Sequence, residues 1–174
     1  GALKILNGIY TTIERGEKVA LIGPNGIGKS TLLKIALGQM EPDTGESAWG
    51  YEAQVSYFAQ DHHDLLKERT SVYDWLFAQA PHETVGTIRG LLGQVLFTGD
   101  DVKKSINALS GGESARLLFA RMMLEKGNVL VLDEPTNYLD REALGALTQA
   151  IKEFKGGAII ISHNSEFTDV LCNE

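Results

Sequence analysis

The sequence predicts an α/β fold with a mainly parallel sheet, a small N-terminal antiparallel β part and an α-helical subdomain in mid-chain. Three strings carry this reading. Residues 23–31 read GPNGIGKST, a glycine-rich turn between an apolar run and a helical one. Residues 128–134 read NVLVLDE, an apolar strand that ends in two carboxylates. Residues 109–113 read LSGGE, at the head of a further helical segment.

Residues 3–12 and 18–22 read as two strands joined by a turn at Arg15-Gly16-Glu17. The run Val19-Ala20-Leu21-Ile22 then leads into Gly23, and Gly23-x-x-x-x-Gly28-Lys29-Ser30 fits the phosphate-loop pattern. This places a P-loop NTPase core on the sheet. Glycines such as Gly23, Gly26 and Gly28 let backbone N–H groups converge on an anion, with Asn25 in the same turn. A helix over residues 29–37, stopped by Gly38, adds the partial positive charge of its N-terminus. In this pattern Lys29 holds the β- and γ-phosphates, Ser30 ligates Mg²⁺ and Thr31 reaches the α-phosphate. ATP and Mg²⁺ are the expected ligands.

A Pro-Asp-Thr-Gly turn precedes two further strands, at about residues 46–49 and 54–59. Residues 71–126 read as helical. Ser71-x-x-Asp74 offers an N-cap. Val72, Trp75, Leu76 and Gln79 trace one helix face, and Val85, Ile88, Leu91, Leu92 and Val95 trace another. Core packing accounts for both faces. The helix after LSGG, over residues 112–126, presents a second N-terminus to an anion. The intervening helical region separates it from the chain's own phosphate loop, so a second chain has to supply it.

Val129-Leu130-Val131-Leu132 suits a central parallel strand buried on both faces. Asp133 and Glu134 follow at its carboxyl end, where open α/β sheets place their ligands. Asp133 is the expected Mg²⁺ ligand and Glu134 the group that polarises the attacking water. A last apolar strand, Ala158-Ile159-Ile160-Ile161, precedes His163.

LSGGE resembles the signature of ATP-binding-cassette (ABC) proteins, and the order of motifs resembles that family across nearly the whole chain. Gln60 follows the run Val55-Ser56-Tyr57-Phe58-Ala59 as the family's Q-loop glutamine does. Asp140, seven residues past Asp133, stands where the family has its D-loop, and His163 stands as its switch histidine. LDEPTNYLD, residues 132–140, is similar to the translation-associated ABC-F group, in which His usually stands where this chain has Tyr138. YFAQDH, TSVYDWLF and LLGQVLFTGDDVKK resemble bacterial ABC-F ATPases. The stretch from Asn137 onward is similar to the fungal elongation-factor-three group, with Asn164 where most members have Asp. The mixture fits either a divergent natural member or a recombined chain.

The resemblance implies roles residue by residue. Gln60 contacts Mg²⁺ or the lytic water, and His163 contacts the γ-phosphate and supports catalysis. Ser110, Gly111 and Gly112 bind the γ-phosphate of a nucleotide held by the opposite domain. Asp140 lies at the seam between the two. The implied partner is a second ABC domain, with the ribosome as a further partner through a longer parent chain. About 29 residues separate Ser30 from Gln60, too few for the helical arm of one ABC-F domain, so the chain resembles the armless second domain. The family's adenine-stacking aromatic is not found upstream of Gly23. Tyr10 is too close and is expected to face a sheet.

The chain has 174 residues, enough for a single domain with a sizeable core. Its parts are residues 1–59 (β part and phosphate loop), about 61–126 (helical subdomain with signature) and 127–174 (acidic strand, D-loop and switch histidine). A net charge of −7 argues against a broad electrostatic grip on nucleic acid. Lys103-Lys104 is the only adjacent basic pair and reads as a solvated flank. One cysteine, Cys172, excludes an internal disulfide. His62-His63 reads as exposed loop rather than a metal site. No apolar run approaches the about 18 residues of a membrane span, so no direct membrane insertion and a cytoplasmic setting are expected. Two other functions remain open: the ATPase subunit of a membrane transporter, and a nucleotide-binding module with little turnover.

Overall fold

The computed structural model describes residues 5–59, 66–137 and 139–172. Four short apolar runs become strands: β1 (Lys18–Leu21), β2 (Val55–Phe58), β3 (Val129–Asp133) and β4 (Gly157–Ile161). They form one sheet in the order β1-β4-β3-β2, and every pairing is parallel. The last strand is thus inserted between the strand that feeds the phosphate loop and the strand that ends in the carboxylates. Leu21 and Asp133 both lie opposite Ile161 in register. The loops after β1, β3 and β4 therefore leave the sheet at one level.

Parallel strands need both faces covered, because their crossovers carry helices. Helix α1 (Lys29–Ala36) covers one face, where Leu33 joins Val131, Ile159 and Ile161 in one core cluster. The other face is covered by α4 (Gly111–Glu125), α5 (Arg141–Glu153) and α6 (Ser165–Leu171). There Leu132, Ala158 and Ile160 pack with Leu117, Leu147 and Phe167. The period-2 alternation of each strand sends successive side chains to opposite layers. Phe58 of β2 stacks on Phe119 of α4 with ring centroids 4.4 Å apart.

The same core continues into the helical region, where α2 (Val72–Gln79) and α3 (Val85–Gln94) add Val72, Trp75, Leu76, Ile88 and Leu92. Ser71 caps α2 by accepting from Asp74 N at 3.0 Å, as its spacing predicts. Gln79 and Val85 belong to the predicted faces but are exposed. Two short 3₁₀ turns, Gly99–Lys103 and Ile106–Ala108, lead to α4.

The predicted antiparallel β part does not form among the described residues. Residues 5–12 carry no strand, and residues 3–4 of that expected strand lie outside the described residues. Ile5, Ile9 and Tyr10 are exposed, and Tyr10 faces no sheet. Apolar, β-branched composition alone cannot make a strand without a ladder partner for its N–H and C=O groups. Residues 46–49 also carry no strand. There Trp49 instead donates its indole N–H to Ala36 O at 2.6 Å, closing the C-terminal end of α1. Gly38, at φ +68°, ends that helix as expected.

Candidate active site

The phosphate loop is held by its own lysine. Lys29 Nζ donates to Gly23 O at 2.7 Å and to Pro24 O at 3.0 Å, which leaves one of its three protons for a ligand. Gly26 and Gly28 adopt φ +79° and +104°, a region that side chains rarely tolerate. A Cβ on Gly28 would also meet Ile5 Cγ2 at 2.7 Å.

Helix α1 differs from the other α-helices among the described residues. Ser71, Thr84, Ser110, Asp140 and Asn164 each cap their helix through a side-chain oxygen. Gly28 has no side chain to do so, and α1 has no side-chain cap. Its first-turn N–H groups need acceptors from elsewhere. A phosphate supplies them and complements the helix dipole.

Opposite the loop stand the two carboxylates. Asp133 is 3% exposed and Glu134 9%. Asp133 Oδ1 and Glu134 Oε1 are buried with no hydrogen-bond partner among the described residues. Buried anionic oxygens are costly unless a cation or a proton meets them. The chemistry and burial of these oxygens therefore fit Mg²⁺, a hard cation that prefers carboxylate and hydroxyl oxygen. Glu134 takes φ +51°, a left-handed conformation that costs a non-glycine residue about 1 kcal/mol. Its N–H donates to Ile161 O at 2.9 Å, which pins the turn to the end of β4. Burial, and then the negative charge of Asp133, hold the Tyr57 hydroxyl above its usual pKa.

His163 comes in from β4. Its backbone N–H donates to Glu134 Oε2 at 3.4 Å. Its ring Nε2 lies 2.7 Å from Asn25 Oδ1 and 3.1 Å from Glu134 Oε1. The Asn25 contact is the shorter of the two, and Glu134 Oε1 is left with only this 3.1 Å approach to the ring. A cleft of about 590 Å³ results, lined by Asn25, Gly26, Gly28, Lys29, Ser30, Thr31, Asp133, Glu134 and His163, together with Ile5, Asn137 and Ile161.

The predicted residues divide into two groups. The phosphate loop, both carboxylates and His163 meet in that cleft. Ser110, Gly111, Gly112 and Asp140 do not line it. Ser110 instead forms a capping box on α4, its Oγ accepting from Glu113 N at 3.3 Å and its N–H donating to Glu113 Oε2 at 2.9 Å. The box leaves the N–H groups of Gly111 and Gly112 outside it. The Ser110 backbone N–H, then the Lys104 ammonium 2.9 Å away, hold the Glu113 carboxyl below its usual pKa. Asp140 Oδ1 caps α5 by accepting from Ala143 N at 2.8 Å. Gln60, His62, His63 and Tyr138 lie outside the described residues.

Two of the contacts between loops have no sequence signal. Asn25 and His163 are 138 residues apart. Thr136 and Ser162 share a hydroxyl contact of 3.1 Å that ties the turn after β3 to the turn after β4. Asn164 caps α6 by accepting from Phe167 N at 3.0 Å. That explains how Asn serves where Asp is usual, since the two cap equally well.

Comparison with known proteins agrees with this geometry. The pattern that defines the ABC transporter family matches residues 6–137. The chain is 41% identical over 160 residues to the probable ATP-binding protein YbiT of Escherichia coli O157:H7, covering 91% of this chain and 30% of the relative. It is 36% identical to protein GCN20 of Saccharomyces cerevisiae, covering 98% of this chain and 23% of the relative. It is 40% identical to ABC transporter F family member 2 of Arabidopsis thaliana, covering 97% of this chain and 25% of the relative. The chain thus spans a third or less of the length of these relatives. Among solved structures, an RNase-L inhibitor superimposes with a TM-score of 0.77 at 30% identity, covering 92% of this chain and 31% of that one. Phosphate loop, acidic strand, signature helix and relatives agree: the chain belongs to the ABC transporter family and is similar to its F-family members.

Proposed function

We propose that the chain binds ATP with Mg²⁺ in the cleft between its phosphate loop and Asp133, and hydrolyses it once a second ABC domain supplies its own Ser110–Gly112 segment. One observation carries this reading. Two buried carboxylate oxygens without hydrogen-bond partners face an uncapped helix N-terminus and a lysine, while the signature helix begins outside that cleft.

Lys29 and the N–H groups of the loop bind the phosphates. Ser30 and Asp133 would hold Mg²⁺, with Gln60 as a further ligand, and the ion would supply charge neutralisation for the phosphates. Glu134 orients the attacking water and accepts its proton on Oε1, the oxygen without a hydrogen bond. His163 donates from Nε2 toward the γ-phosphate. Ser110, Gly111 and Gly112 of the second domain complete the charge stabilisation, with Asp140 at the seam. The partner domain is a second copy or a paired domain of a longer chain.

A translation-associated role is part of this proposal, and one structural neighbour supports it: a complex of an archaeal ribosomal stalk protein with a ribosome recycling factor, matched with a TM-score of 0.76 at 29% identity. We place this domain in a cytoplasmic, ribosome-associated protein of that kind. Among the described residues no helix is long and apolar enough to cross a membrane.

A mixing experiment tests the shared site. Lys29→Ala chains and Ser110→Arg chains are each inactive alone. Mixed, they regain part of the activity, because one composite site then has an intact loop and an intact signature. Specific activity also rises with protein concentration until the dimer saturates. Activity that stays constant per chain on dilution, with no recovery on mixing, refutes the shared site.

A further inference from the structure

The phosphate loop carries one uncharged hydrogen-bonding side chain between Gly23 and Lys29, that of Asn25. It does not turn back onto the loop. Its Oδ1 lies 2.7 Å from Nε2 of His163, across the cleft and from another strand end. The same Nε2 lies 3.1 Å from Glu134 Oε1. Two oxygens therefore converge on one ring nitrogen. Were Nε2 unprotonated, its lone pair would face a carboxylate. Nε2 therefore carries the proton, and Asn25 presents its oxygen rather than its NH₂ group. The shorter distance assigns the hydrogen to Asn25.

We infer that Asn25 is a positioning residue for His163: its amide oxygen holds the Nε2–H and so aims the imidazole edge into the cleft beside Glu134. This deepens the hydrolase reading and rests on it. A histidine with 51% of its side chain exposed is only partly held by packing. One hydrogen bond to a loop that is itself pinned by Lys29 fixes the ring. The proton is then presented at the place where a bound phosphate oxygen competes with Asn25 for it, a transfer of one donor between two acceptors. Asn25 acts through His163 and is not itself a catalytic residue.

Two measurements on the full chain test this. In the nucleotide-free state, the His163 Nε2 proton should be visible by ¹H–¹⁵N NMR, because a hydrogen-bonded proton exchanges slowly with water. Asn25→Ala should speed its exchange at least about tenfold, the loss expected for one modest hydrogen bond. Asn25→Asp keeps an oxygen in place and should keep exchange slow. Glu134→Gln should change the exchange rate by less than about twofold, because Asn25 remains as acceptor. Steady-state kinetics are the second measurement. Asn25→Ala should lower kcat about tenfold and leave KM within about twofold, as expected for an interaction used after binding. Fast exchange in the wild type, or sensitivity to Glu134→Gln but not to Asn25→Ala, overturns the inference. So does a raised KM with unchanged kcat, which would make Asn25 a plain phosphate ligand. If the chain showed no turnover, the hydrolase reading would fail and the exchange data would still decide the role of Asn25.

Discussion

The Lys29 ammonium and the Gly23 carbonyl lie 2.7 Å apart, closing the glycine-rich turn on itself. The loop is therefore shaped before any phosphate arrives, and the lysine is a strut as well as a ligand. Lys29→Ala should weaken ATP–Mg²⁺ binding at least about a hundredfold, since charge-assisted bonds to phosphate are among the stronger ones available. Titration calorimetry reads this directly. Equal affinity in wild type and variant would disprove the phosphate-loop assignment.

Glu134→Gln keeps size and hydrogen bonding but cannot take a proton. It should leave nucleotide binding intact, slow hydrolysis at least about a hundredfold and trap an ATP-bound dimer. Turnover assays and gel filtration with ATP check both effects. Unchanged turnover would move the proton acceptor elsewhere.

The same substitution predicts a gain in stability without ligand. Asp133 and Glu134 are adjacent and buried, each with an oxygen that accepts no hydrogen bond, the one on Glu134 lying 3.1 Å from His163 Nε2. Removing one charge relieves repulsion and desolvation, so the nucleotide-free Glu134→Gln chain should melt at or above the wild-type temperature. Asp133→Asn should behave likewise and should also lose the effect of Mg²⁺ on nucleotide affinity. Melting several degrees below wild type in both variants would show that the carboxylates are structural.

The capping box on α4 should fail in acid. The carboxyl of Glu113 is held below its usual value near 4.5 by the Ser110 N–H and by Lys104, so its ionised form is favoured by folding. Its contribution is fully present above that usual value and is lost as pH falls through the lowered folded value. Glu113→Gln should flatten this part of the stability-against-pH curve while leaving neutral stability lower. Ser110→Ala should cost about 1 kcal/mol at all pH values, the usual cost of an N-cap. Parallel acid limbs for wild type and Glu113→Gln in urea melts would remove the carboxylate from the cap.

Much of this site is legible in the sequence because its signals are local. Gly23-x-x-x-x-Gly28-Lys29-Ser30 specifies its own turn, and Val129–Asp133 specifies a buried strand by composition. Ser71 and Asp74 are read correctly because a cap spans only three residues. The misread segments depend on distant partners. Ile5, Ile9 and Tyr10 have strand-like composition but meet no ladder. Trp49 sits in an expected strand yet spends its N–H on α1. The Asn25–His163 contact joins loops from two strands made adjacent by the insertion of β4, an order that no spacing in the chain encodes.

Trp49 has an optical consequence. The chain has two tryptophans, and Trp75 is 5% exposed in the core while Trp49 is 37% exposed and bonded to the last residue of α1. A soluble quencher therefore reaches Trp49 first, which separates the two emissions without mutation. The emission it removes comes from the far end of the helix whose first turn lines the cleft. A displacement of that helix on loading of the cleft would therefore register in the quenchable emission, with the buried indole as an internal reference.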